Sequence, residues 1–139
     1  MSAAIEFRNI YKSYGDKTVL DNFNLSVEKG EFVTVIGSSG CGKTTALKMV
    51  NGLLTPDSGQ ILIDGEDIAG MDQVQLRRNI GYAIQGSVLF PHMSVEQNIA
   101  YVPDLLNRRD KKRTQGAVDK WMRIVGLDGE LKGRYPDEL

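Results

Sequence analysis

The sequence predicts an α/β fold. Apolar and polar residues alternate in the N-terminal segment, as in strands half-covered by a core. A continuous β-branched run then leads through a glycine-punctuated loop into a helical pattern, and a helical apolar stripe follows near the C-terminus. In order, Ile5-Glu6-Phe7 reads as a short edge strand, and Phe23, Leu25 and Val27, alternating with Asn24, Ser26 and Glu28, as a half-buried one closed by a Lys29-Gly30 turn. Residues 32–36 (Phe-Val-Thr-Val-Ile) predict a strand covered on both faces. Residues 37–42 form a loop, and from Lys43 a helix begins with Ala46, Leu47, Met49 and Val50 on its apolar side. Thr55-Pro56-Asp57-Ser58-Gly59 is a turn cluster, and residues 60–63 are a strand closed by Asp64-Gly65. Asp72 caps a short helix through Arg78, and residues 80–84 read as another apolar strand. Ser94-Val95-Glu96-Gln97 fits a capping box. The charge-rich residues 107–113 read as an exposed loop or helix start, before a helix whose stripe is Ala117, Val118, Trp121, Met122 and Val125 and whose stop is Gly126.

Composition bounds the function. At 139 residues, the chain is one domain or a large piece of one, and 41% hydrophobic with 25% charged residues is a globular composition. Seventeen basic against 18 acidic side chains leave a net charge of -1, which argues against bulk electrostatic binding to nucleic acid or anionic lipid. The single Cys41 excludes an internal disulfide and fits a reducing compartment. The N-terminal MSAAIEFRN lacks an apolar core of signal-peptide length, and no apolar run approaches the roughly 18 residues of a membrane helix. Any work at a membrane therefore requires a partner to hold the chain there.

Gly37-Ser38-Ser39-Gly40-Cys41-Gly42-Lys43-Thr44 matches G-x-x-x-x-G-K-[ST]. A phosphate chain needs many N–H donors converging on one point, and only small residues let a backbone turn that sharply and come that close. The helix that follows adds unpaired N–H groups and partial positive charge. Lys43 supplies a full charge toward the β- and γ-phosphates, and the Thr44 hydroxyl a ligand for Mg²⁺. A glycine-rich turn that binds nothing is the alternative, and the order of strand, loop, lysine, hydroxyl and helix argues against it. Cys41 is either a thiol of lowered pKa or, more simply, a small residue tolerated among glycines.

Further residues narrow the class. Tyr11-Lys12-Ser13-Tyr14-Gly15, Val19 and Leu25-Ser26-Val27-Glu28-Lys29-Gly30-Glu31 precede the loop. Leu53-Leu54-Thr55-Pro56-Asp57-Ser58-Gly59, Ile63-Asp64-Gly65, Gly81-Tyr82-Ala83-Ile84-Gln85 and Leu89-Phe90-Pro91-His92-Met93-Ser94-Val95 follow it. Together, over essentially the whole chain, these closely resemble the ATP-binding subunits of ABC transporters of the bacterial importer kind. The resemblance implies a P-loop NTPase (RecA-like) core with an N-terminal antiparallel β subdomain over residues 1–88. It also implies the Q-loop exit and the start of an α-helical subdomain over residues 89–139. ATP and Mg²⁺ are the implied ligands. Tyr14 would stack on adenine, a core tyrosine being the alternative. Gly37, Ser38, Ser39, Gly40, Cys41, Gly42, Lys43, Thr44 and Thr45 would be the Walker A loop, with Lys43 catalytic. Gln85 would be the Q-loop glutamine, touching Mg²⁺ with Thr44 and the attacking water; an ordinary polar residue at a strand end is its alternative. Residues 86–95 would begin the surface that meets the membrane partner. His92, the only histidine, falls in that segment and not where the family carries its switch histidine, so it reads as a structural or interface residue.

The resemblance also implies partners. They are a second ATP-binding subunit (the same chain or a close homologue), membrane-spanning permease subunits and, indirectly, a solute-binding protein, with no nucleic acid. The place of work is the cytoplasmic face of the membrane, peripherally bound. Asp64-Gly65-Glu66-Asp67-Ile68, Gly81-Tyr82-Ala83-Ile84-Gln85 and Glu96-Gln97-Asn98-Ile99-Ala100-Tyr101-Val102-Pro103 are similar to the osmoprotectant group, importers of glycine betaine, choline or carnitine. Polar amino acid importers and soluble non-transport ABC proteins are the rivals, whereas a GTP-binding switch protein would want an Asn-Lys-x-Asp element that does not occur. The chain reaches Tyr135-Pro136-Asp137-Glu138-Leu139, the segment that leads into the signature motif in the family. The signature motif, Walker B aspartate, catalytic glutamate and switch histidine would lie beyond it, so the expectation is a truncated sequence. The strand at residues 32–36 would then lack neighbours, leaving an apolar edge prone to association. This chain alone is expected to be marginally stable and to show negligible Mg²⁺-dependent ATP turnover; a steep denaturant transition of ordinary domain stability, or measurable turnover free of host ATPases, would contradict this.

Overall fold

The computed structural model describes residues 3–86, 88–107 and 110–139. They fall into two compact units, Met1–Gly81 and Tyr82–Leu139. The first contains strands β1 (Ala3–Tyr14), β2 (Lys17–Glu28), β3 (Ser58–Ile63) and β4 (Glu66–Asp67), with helices α1 (Lys43–Val50) and α2 (Gln73–Arg78). The strands form one antiparallel sheet of order β2-β1-β3-β4.

β1 corrects the expectation of a short edge strand: it is 12 residues long and flanked by β2 and β3. Strict alternation would send Phe7 and Ile10 to opposite faces, yet both are buried. The pairing shifts register between them, and Asn9, at φ 49, takes the extra position of a bulge. The Asn9 N–H donates to Asn24 Oδ1 at 2.8 Å, which satisfies the backbone group displaced from the ladder. A bulge flips the phase by one residue, so a search for uninterrupted alternation stops at Phe7.

The core of this unit joins Phe7, Ile10, Leu20 and Ile61 of the sheet to Ala46 and Met49 of α1 and Leu76 of α2. Phe7 meets Phe23 edge-on, with ring centroids 5.3 Å apart, a favoured geometry for two quadrupoles. The Asp64-Gly65 turn joins β3 to β4 with both residues at positive φ (49 and 86), as a two-residue primed hairpin requires. Asp72 caps α2, its Oδ1 accepting from the Gln75 N–H at 2.8 Å.

Two expected strands do not form. Residues 32–36 carry no regular structure, and Phe32 and Ile36 are 91% and 90% exposed. Residues 80–84 are likewise irregular, although Ile80 still packs on the core. A strand holds its shape only when a neighbour takes its N–H and C=O groups. Among the described residues, the four sheet strands pair with one another and none lies beside either run.

The second unit packs helix α3 (Val95–Leu106) on helix α4 (Lys111–Val125) through Val95, Val118 and Met122, with Ile99, Ala100, Leu127 and Leu131 around them. The capping box forms in full at Ser94 and Gln97. Of the charge-rich residues 107–113, Asp110 caps α4 and Lys111 starts it; Arg108 and Arg109 lie outside the described residues. Gly126 ends α4 in the left-handed conformation, at φ 73. The α4 stripe buries less than its period suggests, since Trp121 and Val125 remain exposed.

Phe7→Ala is expected to lower the stability of the first unit by about 3–5 kcal/mol. Ile36→Ala should change it by less than about 0.5 kcal/mol in this chain. Denaturant unfolding followed by circular dichroism separates the two.

Candidate nucleotide site

Residues 37–41 form an exposed loop that closes, through the buried Gly42, onto the first turn of α1. Gly40 and Gly42 sit at φ 78 and 101, conformations that residues with a Cβ rarely adopt. Within the loop the Cys41 N–H donates to Ser38 O at 3.3 Å. The Lys43 ammonium donates to the carbonyls of Gly37 and Ser38, both at 2.7 Å, and lies 3.6 Å from Cys41 Sγ. The loop therefore wraps its own lysine. At the end of the loop, Ala46 N–H donates to Gly42 O at 2.9 Å. Lys43, Thr44 and Thr45 precede that bond and carry the N-terminal amides that a helix cannot satisfy internally. Those amides and the helix dipole make this end electropositive.

β2 lies directly against the loop. A Cβ on Gly42 would sit 3.0 Å from Val19 O, Val19 Cγ1 and Leu20 Cδ2. A Cβ on Gly37 would sit 2.5 Å from Cys41 Sγ. Gly42 is thus favoured by both its φ and its close approach to β2, whereas at position 37 a side chain would meet only the exposed Cys41 thiol. Lys17, the first residue of β2, brings its Nζ to 3.9 Å from the Cβ position of Gly40. Lys17 pairs with Tyr14 across the hairpin, which places Tyr14 at the hairpin end beside the loop of residues 37–42. Tyr14 is half exposed and not part of the core.

The strand carrying Tyr14 is tied to the Thr55-Pro56-Asp57-Ser58-Gly59 turn. Asp57 Oδ1 accepts from Lys12 Nζ at 2.7 Å, and Oδ2 accepts from the Ser13 N–H at 2.8 Å and the Ser13 hydroxyl at 3.2 Å. In return the Asp57 N–H donates to Tyr11 O at 2.9 Å. The Lys12 hydrogen bond, helped by the Ser13 amide, holds the Asp57 carboxyl below its ordinary pKa.

Gln85 belongs to the second unit and is exposed at a bend, followed by Gly86 at φ 100. His92 is exposed and meets Phe90 edge-on at 5.9 Å, while Phe90 lies 4.9 Å from the Tyr101 ring. Asn98 organises this segment: its Nδ2 donates to the carbonyls of Phe90, Met93 and Ser94, and its Oδ1 accepts from the Phe90 N–H. The sequence assigns no separate role to Lys12, Lys17, Asp57 or Asn98; Lys12, Asp57 and Asn98 appear there only within the family segments around Tyr14, Pro56 and Gln97.

Residues 20–139 match the family model described as ABC transporter, and the chain belongs to that family. It is 47% identical over 136 residues to the choline transport ATP-binding protein OpuBA of Bacillus subtilis, covering 97% of this chain and 35% of that protein. It is 48% identical over 130 residues to the glycine betaine/carnitine/choline transport ATP-binding protein OpuCA of the same organism, covering 94% and 33%. The chain thus spans about a third of the length of these relatives. A solved structure of a bacterial Atm1-family ABC exporter with ATP bound superposes with a TM-score of 0.67 at 37% identity, covering 72% of this chain and 18% of that one. The fold is that of an ABC ATPase domain of the P-loop NTPase class.

Because Asp57 has a lowered folded pKa, its ion pair stabilises the first unit above the ordinary carboxylate pKa, and that contribution is lost as pH falls through the folded value. Asp57→Asn should therefore flatten the acid side of the stability profile below about pH 4, read as thermal midpoint against pH. Gly42→Ala should abolish nucleotide binding by displacing the loop from Val19 and Leu20, measured by nucleotide titration.

Proposed function

We propose that the chain is the ATP-binding part of an ABC importer subunit that couples ATP binding and hydrolysis to uptake of an osmoprotectant such as glycine betaine, choline or carnitine. The observation that carries this reading is the loop of residues 37–42 closed around Lys43 at the start of α1, with the Tyr14–Lys17 hairpin end beside it. The names of the relatives support the solute class. Polar amino acid import is the alternative for the solute, and a soluble non-transport role the alternative for the class.

Each residue has a distinct task in this reading. The carbonyls of Gly37 and Ser38 orient the Lys43 ammonium, which would meet the β- and γ-phosphates and stabilise charge on the transferring phosphoryl group. Ser38, Ser39, Gly40, Cys41, Gly42, Thr44 and Thr45 would offer backbone amides, and a loop this poor in side chains leaves room for phosphate oxygens. Tyr14 would stack on adenine. The site suits Mg²⁺, because Thr44 is exposed at the amide-rich helix end and a magnesium ion needs few protein ligands when phosphates supply the rest. The ion would neutralise phosphate charge, with Thr44 as its ligand from the first unit; the role of Gln85 rests on the family resemblance alone. Gln85 stands before Gly86, whose positive φ suits a hinge.

Residues 1–88 would form the ATP-binding core, and residues 89–139 the Q-loop exit and the start of the helical subdomain. Among the described residues no helix is long and apolar enough to cross a membrane, so membrane work would be peripheral, on the cytoplasmic face and through permease subunits. A cleft of about 880 Å³ in the second unit, lined by His92, Met93, Glu96, Gln97, Tyr101 and Asp104 among others, offers those subunits a surface. The remaining partners would be a second ATP-binding subunit and, indirectly, a solute-binding protein.

Lys43→Ala is expected to weaken binding of a fluorescent ATP analogue by roughly 10–100-fold, the worth of a charge-assisted contact. Equal affinity in wild type and variant would overturn the nucleotide site. Uptake of labelled choline or glycine betaine in cells carrying the complete transporter should fall to background in the same variant; labelled amino acid uptake that falls instead would move the solute to the alternative.

A further inference from the structure

A ring at a hairpin end can bind a flat base only if it stands still, because each side chain that must be ordered on binding costs affinity. Tyr14 is half exposed, so the core does not fix it. It is supported from its own strand: the Lys12 ammonium lies 5.6 Å from the ring centroid, a cation–π distance. Lys12 is not loose either. Its side chain is only 16% exposed, and its Nζ is paired with Asp57 Oδ1 at 2.7 Å. The same carboxylate accepts from the N–H and hydroxyl of Ser13, the residue between Lys12 and Tyr14. The Asp57 N–H returns to Tyr11 O. One aspartate from a distant turn thus grips three consecutive residues directly before the ring.

We propose that Asp57 and Lys12 are positioning residues for nucleobase recognition: Asp57 fixes the Lys12 ammonium and the backbone at Ser13 so that Tyr14 presents a preorganised face to the base. This rests on Tyr14 being the base platform. A latch that only braced the fold would serve base and phosphates alike, whereas a latch for Tyr14 serves the base alone. The turn that supplies Asp57 enters β3, paired to β1 at Tyr11 and Ser58, so the grip runs through the sheet and does not depend on the phosphate loop.

The test uses the complete subunit and two ligands, ATP and inorganic tripolyphosphate, which lacks the base. Asp57→Asn and Lys12→Met should each weaken ATP about three- to tenfold and leave tripolyphosphate affinity unchanged, while Lys12→Arg should retain ATP affinity because it keeps the charge over the ring. Added to Tyr14→Ala, neither variant should weaken ATP further, since both act through the ring. If Asp57→Asn and Lys12→Met lower both ligands equally, or leave ATP unchanged while Tyr14→Ala weakens it, the proposal is overturned and the platform stands. If Tyr14→Ala leaves the ratio of the two affinities unchanged, the platform itself fails and the proposal with it. Should Asp57→Asn fail to fold, the two Lys12 variants decide the matter alone, since their melting temperatures report folding separately.

Discussion

The glycine-rich loop of residues 37–42 closes around Lys43 because a side chain is missing where its backbone meets β2. At Gly42 the main chain sits against Val19 and Leu20 of β2, and at Gly37 it sits against the sulfur of Cys41. At Gly37 a methyl group would meet only a thiol that can turn aside, but at Gly42 it would press on β2 and push the loop outward. The carbonyls of Gly37 and Ser38 would then no longer meet the ammonium, and the amides at the start of α1 would no longer face the cradle. The geometry is therefore set by exclusion: the loop packs to contact, and its curvature follows from what is absent.

The sheet makes that contact possible. α1 is held on it by Ala46 and Met49, which pack with Phe7, Ile10, Leu20 and Ile61. Burying Met49 alone is worth about 1.5–3 kcal/mol, and this packing offsets the cost of nucleating an eight-residue helix that would not be stable alone. The bulge at Asn9 matters here, because it turns both Phe7 and Ile10 toward the core within one strand. β1 then has two duties along its length: its first half builds the core, and its last residues carry the ring and its support.

The helical unit solves a different problem with polar bonds. The segment before α3 has no strand or helix to satisfy its backbone, and Asn98 supplies four hydrogen bonds to it from within the helix. That leaves the ring of Phe90 exposed between those of His92, met edge-on, and Tyr101, met at a tilt. Such a surface is ordered without being buried, which is the condition for meeting another chain without first folding.

Local chemistry was legible in the sequence wherever one residue and its near neighbours decide the outcome. The glycine turns of residues 37–42, the Asp64-Gly65 hairpin, the Asp72 cap, the Ser94 capping box and the Gly126 stop all depend on φ preferences or on hydrogen bonds spanning a few residues. The family was legible too, because its motifs are local and occur in order. Pairing partners were not. Whether β1 lies at an edge, and whether residues 32–36 or 80–84 find a neighbour, depends on chain far away in sequence, as does the meeting of Asp57 with Lys12. A strand's hydrogen bonds and a carboxylate's partner are long-range facts, and only the tertiary structure decides them, because the energy that selects them exists only once distant segments touch.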